Sequence, residues 1–258
     1  MCGMIDLHCH ILPGIDDGAQ NMDESLHMAR VAVSEGIHQI VATPHHQNGR
    51  YTNEKEDIMK RVEVLNQKLD QEKIPLKILP GQESRIYGEI IQDYHLNKVL
   101  TLNNTTKYLF IEFPSNHVPR FTEQLLFNIQ SEGITPIIVH PERNSRLLAD
   151  PDILYNLVAK GALTQVTAAS LTGQFGKKIK KFSFQLIESN LTHIIASDAH
   201  NTSSRRFCMA EAMNVIEKKY GLDFIYLFQE NADAVINGKA CFREQPDKVE
   251  RKKFLGIF

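Results

Sequence analysis

Cysteine is scarce in this chain: Cys2, Cys9, Cys208 and Cys241 are the four in 258 residues. They form no CxxC pair and no evenly spaced framework, which excludes a zinc finger and a disulfide scaffold and points to reduced thiols in a cytoplasmic protein. The positions six residues after them hold His8, Ile15, Asn214 and Asp247, so there is no C-x5-R loop and no thiol chemistry of that kind. An excess of one charge is also missing. With 29 basic and 31 acidic residues, the net charge of -2 supplies no global basic field for nucleic acid or a membrane surface. Small anions held by local arginines are not excluded. No apolar run approaches the roughly 20 residues that span a bilayer, and an acidic, His-rich strand stands where a signal sequence would be apolar. A soluble, intracellular protein without membrane insertion is expected. No linker or low-complexity segment divides the chain, and with 42% hydrophobic residues it has material for a single domain over residues 1–258. The last residues, "RKKFLGIF", mix basic and apolar types, and a tail packed on its own domain is expected there.

What is present in quantity is histidine beside acid. "IDLHCHILPGIDDG", residues 5 to 18, opens on a short strand from Ile5 to His10, and strict alternation puts Asp6, His8 and His10 on one face with Ile5, Leu7 and Cys9 on the other. A buried face carrying an acid and two imidazoles is costly unless something pairs with them, and a metal ion would. The HxH pair alone is a weak signal, so the rest of the chain decides.

That rest is a run of strand and helix units. "MDESLHMARVAVSEGI" reads as a helix stopped at Gly36; "HQIVATPHH" is a second strand, followed by a helix with Asn53 at its cap and Ile58, Val62, Leu65 and Leu69 at helical spacing. "LKILPGQE", "YLFIEF", "TPIIVHPER", "LTQVTAAS" and "HIIASDAH" continue the series, with helices through "TEQLLFNIQSEG", around Lys177 to Ser189 and from about Arg206 to Lys219. Seven such units imply an α/β fold with a parallel sheet and right-handed crossovers, closed or nearly closed into a barrel.

A β/α barrel gathers the C-terminal ends of its strands into one site. Strand one ends in His8 and His10, with Asp16 and Asp17 in the next loop; strand two ends in His45 and His46, and strand three in Glu83. Strand four carries Glu112 opposite Leu109, Ile111 and Phe113; strand five ends in His140, and strand seven in Asp198 and His200. Imidazole and carboxylate without thiolate is the ligand set of hydrolytic manganese, iron or zinc centres. There are more candidates than one ion needs, so two or three ions sharing a carboxylate are expected, with Glu83 the natural bridge. Such a centre activates water for attack on a phosphoryl group. Arg143, three residues beyond His140, and Arg205 and Arg206, just after the seventh strand, are placed to hold phosphate oxygens.

These residues resemble the PHP family, the polymerase and histidinol phosphatase superfamily, whose opening HxH matches His8 and His10. More narrowly, "HCHILPGIDDG", "ATPHH", "LPGQE", "IEFP", "HPER" and "SDAH" are similar to the bacterial manganese-dependent protein-tyrosine phosphatases of the YwqE type, linked to capsule and exopolysaccharide synthesis. The resemblance implies a distorted seven-stranded barrel, three Mn2+ ions (Fe or Zn being the alternatives), and phosphotyrosine on a bacterial tyrosine autokinase as substrate, hydrolysed by metal-activated hydroxide. It assigns His8, His10, Glu83 and Asp198 to the first ion, Glu83, Glu112 and His140 to the second, and Asp17, His45 and His200 to the third. Asp17 is preferred to Asp16 because it directly precedes the motif glycine. Arg143 and Arg205 match the family's phosphate-contacting arginines, and Arg206 is expected to point away. Many PHP relatives have histidine where Glu112 stands, which favours the tyrosine phosphatase branch. The other readings are a PHP phosphoesterase for a small molecule such as histidinol phosphate and a metal-stabilised scaffold that binds a kinase without turnover. The general acid is open between His46, Asp16 and the arginines, and the oligomeric state is not read from the sequence.

Overall fold

A computed structural model of the protein describes residues 3–250; Cys2 and the terminal "RKKFLGIF" lie outside them. The strands are β1 (Met4–Cys9), β2 (Ile37–Ala42), β3 (His45–His46), β4 (Lys77–Pro80), β5 (Glu83–Arg85), β6 (Tyr108–Glu112), β7 (Thr135–Val139), β8 (Leu163–Thr167) and β9 (Ile194–Ala196). They pair in parallel in two sheets, β1-β2-β4 and β3-β5-β6-β7-β8-β9. The two sheets share their chain passes. Only Thr43 and Pro44 separate β2 from β3, and only Gly81 and Gln82 separate β4 from β5. The nine strands therefore trace seven passes, each beside its sequence neighbours, as the alternating pattern predicts. Asp198 N–H donates to the His8 carbonyl at 2.8 Å and His10 N–H to the Ala199 carbonyl at 2.9 Å, which brings the last pass beside the first and closes the ring.

Two apolar layers sandwich the strands. Ile40, Ile78, Leu109, Ile111, Ile138 and Val166 pack outward with helix residues such as Leu26, Ile58, Leu65 and Leu186. Leu7, Val41, Phe110, Ile137, Val139 and Leu163 fill the interior, and Ala232, Val235 and Ile236 of helix Leu222–Ile236 pack against them. The unit count left that last helix out, because its apolar residues plug the barrel and do not follow a strand.

Strict alternation fails in β1. Asp6 pairs with Ile40 but Cys9 pairs with Ala42, so three residues of β1 answer two of β2, and the strand bulges at Leu7 and His8. Leu7 packs with the interior set and the adjacent His8 ring lies 5.2 Å from Phe110 of the same set, whereas Cys9 joins the outer layer. Asp6 is turned from the histidines to the last pass, where it accepts from the Ser197 N–H at 2.9 Å. The bulge keeps Leu7 in the core and still aims His8 and His10 at the mouth. Asn53 does not cap the second helix, which starts at Lys55 behind Glu54; its amide donates to the carbonyls of Ile15 at 3.0 Å and His45 at 2.8 Å, tying two rim loops together.

The break between β4 and β5 depends on a residue without a side chain. A Cβ on Gly81 would lie 2.5 Å from Val41 Cγ1 and 3.1 Å from Leu102 Cδ2, both in the interior. Gly81→Ala should therefore cost about 1 to 3 kcal/mol of stability by overpacking, measured by chemical denaturation. An unchanged midpoint would show that the pinch is loose.

Candidate metal centre

Each ligand candidate reaches the mouth through a local device. His8 and His10 arrive on the bulged strand, and Asp17 on the loop that follows. His45 and Glu83 start the short continuations β3 and β5 and pair side by side. Glu112 ends β6 on the face opposite Leu109 and Ile111, as its strand position predicts. His140 and Asp198, just past β7 and β9, both have left-handed backbone, φ 36° and 53°. Non-glycine residues held there cost conformational energy, and here the turn aims both side chains across the mouth.

The side chains converge on Glu83, which is fully buried. Its Oε2 is 3.4 Å from His8 Nε2, 3.3 Å from His10 Nε2 and 2.8 Å from His45 Nδ1, and its Oε1 is 2.8 Å from His140 Nε2. Asp198 Oδ1 lies 3.4 Å from His8 Nε2 and 3.3 Å from His10 Nε2. Asp17 Oδ1 is 3.4 Å from Nε2 of both His45 and His200, and Glu112 Oε2 is 3.8 Å from His45 Nδ1. Donor atoms around one ion, each bound at about 2.0 to 2.2 Å, sit about 3.0 to 3.4 Å apart, the spacing that recurs here. Three groups are compact enough to hold an ion: His10, Asp17, His45 and His200; His8, His10 and Asp198; and His45, Glu83 and Glu112. All nine expected ligand residues are thus brought together. The grouping differs from each implied set: His10 joins Asp17, His45 and His200, the group of His8, His10 and Asp198 lacks Glu83, and Glu112 falls with His45 while His140 touches Glu83.

The residues fit metal ions on a further ground. His45 Nδ1, Glu83 Oε2, Glu112 Oε2 and His200 Nε2 are buried and lack a hydrogen bond of good geometry, although His45 Nδ1 and Glu83 Oε2 are close. Buried polar atoms are normally paired, and four orphans aimed at one another call for a cation between them.

Protons are unevenly distributed among these side chains. Burial opposes charging His45, but the carboxylates of Glu83 and Asp17 outweigh it and raise its pKa to about 9. His10 is likewise raised, burial being outweighed by Asp16. Burial pushes Glu112 up to about 7, helped by the charge on Glu83. Glu83 and Asp198 are held low against their burial, by His45 and by Arg143 respectively. His140 and His200 fall to about 4, chiefly through burial.

Further contacts orient these candidate side chains. Asp16 Oδ2 is 2.7 Å from His10 Nδ1, its Oδ1 accepts from Gly18 N–H at 2.9 Å, and His8 Nδ1 meets Gln165 Oε1 at 2.9 Å. Both contacts leave Nε2 to face the cluster. The adjacent aspartates thus divide the work, Asp16 behind His10 and Asp17 in the mouth. His46 points the other way from His45, fully buried with its ring 6.2 Å from that of Tyr87, and has no place at the cluster as an acid.

Arg143 Nη2 is 2.7 Å from Asp198 Oδ2, and Arg205 Nη2 is 3.1 Å from the same oxygen. Arg206 instead pairs with Glu211 at 3.0 Å on the surface. Glu112, Phe113, His140, Arg143, Phe175 and Arg205 line a cavity of about 360 Å3 beside the ligands. Sequence reasoning missed Gln165, Phe175 and Arg85, whose Nη2 is 3.2 Å from Glu112 Oε1. Arg85 had a signal, standing two residues after Glu83 on the same strand face; Phe175 had none.

The sequence profile of the family described as capsular polysaccharide synthesis, CpsB/CapC, matches residues 4–237. The tyrosine-protein phosphatase YwqE of Bacillus subtilis is 50% identical over 255 residues, 99% of this chain and 100% of that protein. The tyrosine-protein phosphatase CpsB of Streptococcus agalactiae serotype V is 30% identical over 239 residues, 90% of this chain and 98% of the relative. A solved structure from work on YwqE of Bacillus subtilis and CpsB of Streptococcus pneumoniae, described as unique metal-dependent tyrosine phosphatases, superposes with a TM-score of 0.94 at 50% identity, covering 96% of this chain and 100% of that one. The phosphotriesterase homology protein of Escherichia coli matches in fold alone, with a TM-score of 0.60 at 9% identity over 91% of this chain and 99% of its own.

Ligation requires His10, His45 and Glu112 to be deprotonated, so metal uptake at pH 7 should release at least one proton, and affinity should fall as pH drops from about 9 toward 6. Titration calorimetry in buffers of different ionisation enthalpy measures this. Heats independent of the buffer would contradict the proton placement.

Proposed function

The chain belongs to the CpsB/CapC family, and from that membership together with the site we infer that it is a metal-dependent tyrosine-protein phosphatase, hydrolysing the phosphate ester of phosphotyrosine. The observation that carries this reading is the convergence of imidazoles and carboxylates on Glu83 beside a cavity that also receives two arginines. Divalent ions held there would lower the pKa of a bound water, so that hydroxide is present at neutral pH for attack on phosphorus, and would add positive charge for the phosphoryl oxygens.

The chain's own groups do the rest. Arg143 and Arg205 each spend part of a five-donor fork on Asp198, and their remaining N–H groups are available to phosphoryl oxygens in the cavity. Phe113 and Phe175 offer apolar wall to the tyrosine ring, and Phe175 also lies 5.3 Å from the Arg143 guanidinium, which it helps to hold. His46 is turned away and Asp16 is committed to His10, so neither is placed to protonate the leaving group. A phenolate, with a pKa of about 10, needs little protonation to leave. Among the described thiols, burial pushes Cys9, Cys208 and Cys241 up, away from the reactive thiolate.

The ligand roles of His8, His10, Asp17, His45, Glu83, Glu112, His140, Asp198 and His200 are part of this proposal, as are the phosphate contacts of Arg143 and Arg205. Manganese is our assignment for the ion, supported by an all-nitrogen-and-oxygen ligand set, which iron or zinc would also suit. We assign the phosphotyrosine to a bacterial tyrosine kinase of the capsular system and its substrates, a choice supported by the family's description. Three buried, unbridged cysteines support a cytoplasmic setting, and among the described residues no helix is long and apolar enough to cross a membrane.

Steady-state kinetics on a phosphotyrosine peptide test the assignment. Arg143→Ala and Arg205→Ala should each lower kcat/KM by roughly tenfold to a hundredfold, the loss of charge-assisted hydrogen bonds worth about 1.5 to 3 kcal/mol. Arg206→Ala should change it only a few-fold, and histidinol phosphate should be the poorer substrate of wild-type protein. If Arg206→Ala were the crippled variant, the phosphate clamp would have to be redrawn.

A further inference from the structure

Beside the catalytic cavity a second, larger hollow of about 1210 Å3 runs along helix Lys177–Glu188, and its charge is uneven. Lys177, Lys180, Lys181, Lys219 and Lys248 line it. Of the acids on the same walls, Glu188 is held by Lys219 at 2.7 Å, while Asp247 and Glu250 lie on the chain that leaves the final helix. The helix carries Lys177, Lys178, Lys180 and Lys181 in its opening residues and no acid in its first turn. That pattern opposes the helix dipole, which favours anions at this end, so the cluster costs local stability. Among the described residues Lys177, Lys178 and Lys181 have no ion-pair partner, and all three are exposed.

Along the chain the hollow lies close to the catalytic cavity: Phe175 lines the cavity and Lys177, two residues on, lines the hollow, while Arg143 lines the cavity and Leu148, five residues on, lines the hollow. Two residues reach at most about 7 Å, and the helix from Lys177 to Lys181 adds about 6 Å. An extended peptide advances about 3.3 Å per residue, so a chain leaving the cavity meets the lysines within about two to four residues.

We propose that this lysine-lined groove is a docking surface for the substrate chain itself, selecting phosphotyrosines that have acidic residues about two to four positions away. The inference rests on the phosphotyrosine reading above and deepens it: the cavity reads the phosphorylated ring, and the groove reads the charge of its neighbours. The occupant is an acidic polypeptide, since complementarity with unpaired lysines is what the groove offers.

Two phosphotyrosine peptides identical except for three glutamates or three glutamines at those positions test this with the full-length, metal-replete enzyme. Wild-type protein should favour the acidic peptide by about tenfold in kcat/KM at low salt, mainly through KM, and the preference should shrink as salt screens it. Replacing Lys177, Lys180 and Lys181 together with glutamate should abolish or reverse the preference, and replacement with glutamine should bring the peptides close to parity. Turnover of p-nitrophenyl phosphate, too small to reach the groove, should be unchanged. Thermal unfolding should show the glutamate variant at least as stable as wild type, because acids suit the first turn. Equal turnover of the two peptides by wild type, or a preference that survives charge reversal, would overturn the proposal. So would charge reversal that abolished binding to phosphatidylserine vesicles while leaving the peptide preference intact, since the cluster would then serve a membrane. If neither peptide were hydrolysed the phosphatase reading would fail instead, and fluorescence anisotropy of a labelled, unphosphorylated glutamate peptide against the same variants would still decide the groove.

Discussion

A carboxylate with no exposed surface, pressed against four imidazoles, is the constraint around which this protein is arranged. Glu83 lies within 3.4 Å of His8, His10, His45 and His140, residues from three other passes of the barrel. Burying such a group unpaired would cost far more than a fold of this size can spare. Within the protein it is neutralised by protons shared unequally among the histidines; with cations between the donors it needs none. The local irregularities serve this convergence. Two passes break so that β3 and β5 can carry His45 and Glu83 over the mouth, β1 bulges so that Leu7 and His8 both face inward, and His140 and Asp198 take left-handed backbone.

Charge balance then links binding of ions to binding of substrate. Arg143 and Arg205 close on Asp198, a candidate ligand with a depressed pKa that also faces His8 and His10. An ion held there would compete for the same carboxylate and would leave more of the arginine donors to a phosphoryl group. The clamp and the metal centre are therefore one electrostatic unit, and Arg85 on Glu112 extends it to the far side of the cavity.

Much of this was legible in the chain because strand ends are. The alternation of apolar strands with helices pointed to the parallel ring, and the polar residues closing six of its strands, from His8 to His200, with Asp17 in the first loop, are the side chains the fold brings together at the mouth. Three kinds of feature were not legible. The bulge in β1 was hidden because period-two alternation assumes an unbroken ladder, and only pairing with β2 shows three residues answering two. Asn53 looked like a helix cap, since its type and spacing suit one; its amide goes to Ile15 and His45, a tertiary choice that local pattern cannot express. Gln165 and Phe175 carry no chemical signature of their own. They matter because β8 sets one behind His8 and a loop sets the other against Arg143. The choice between Asp16 and Asp17, made on motif resemblance, has a physical counterpart in the 2.7 Å contact of Asp16 with His10 Nδ1.

The most direct test of a Glu83-centred cluster is to locate the ions. Anomalous diffraction from crystals grown with manganese, collected for wild-type protein and for Glu83→Gln, counts them and fixes their distances to each oxygen and nitrogen. Bridging by Glu83 predicts at least two ions in wild type, each within about 2.5 Å of a Glu83 oxygen, and loss of at least one in the variant while the barrel stays folded. A wild-type site with a single ion that does not touch Glu83, or full occupancy in the variant, would contradict it.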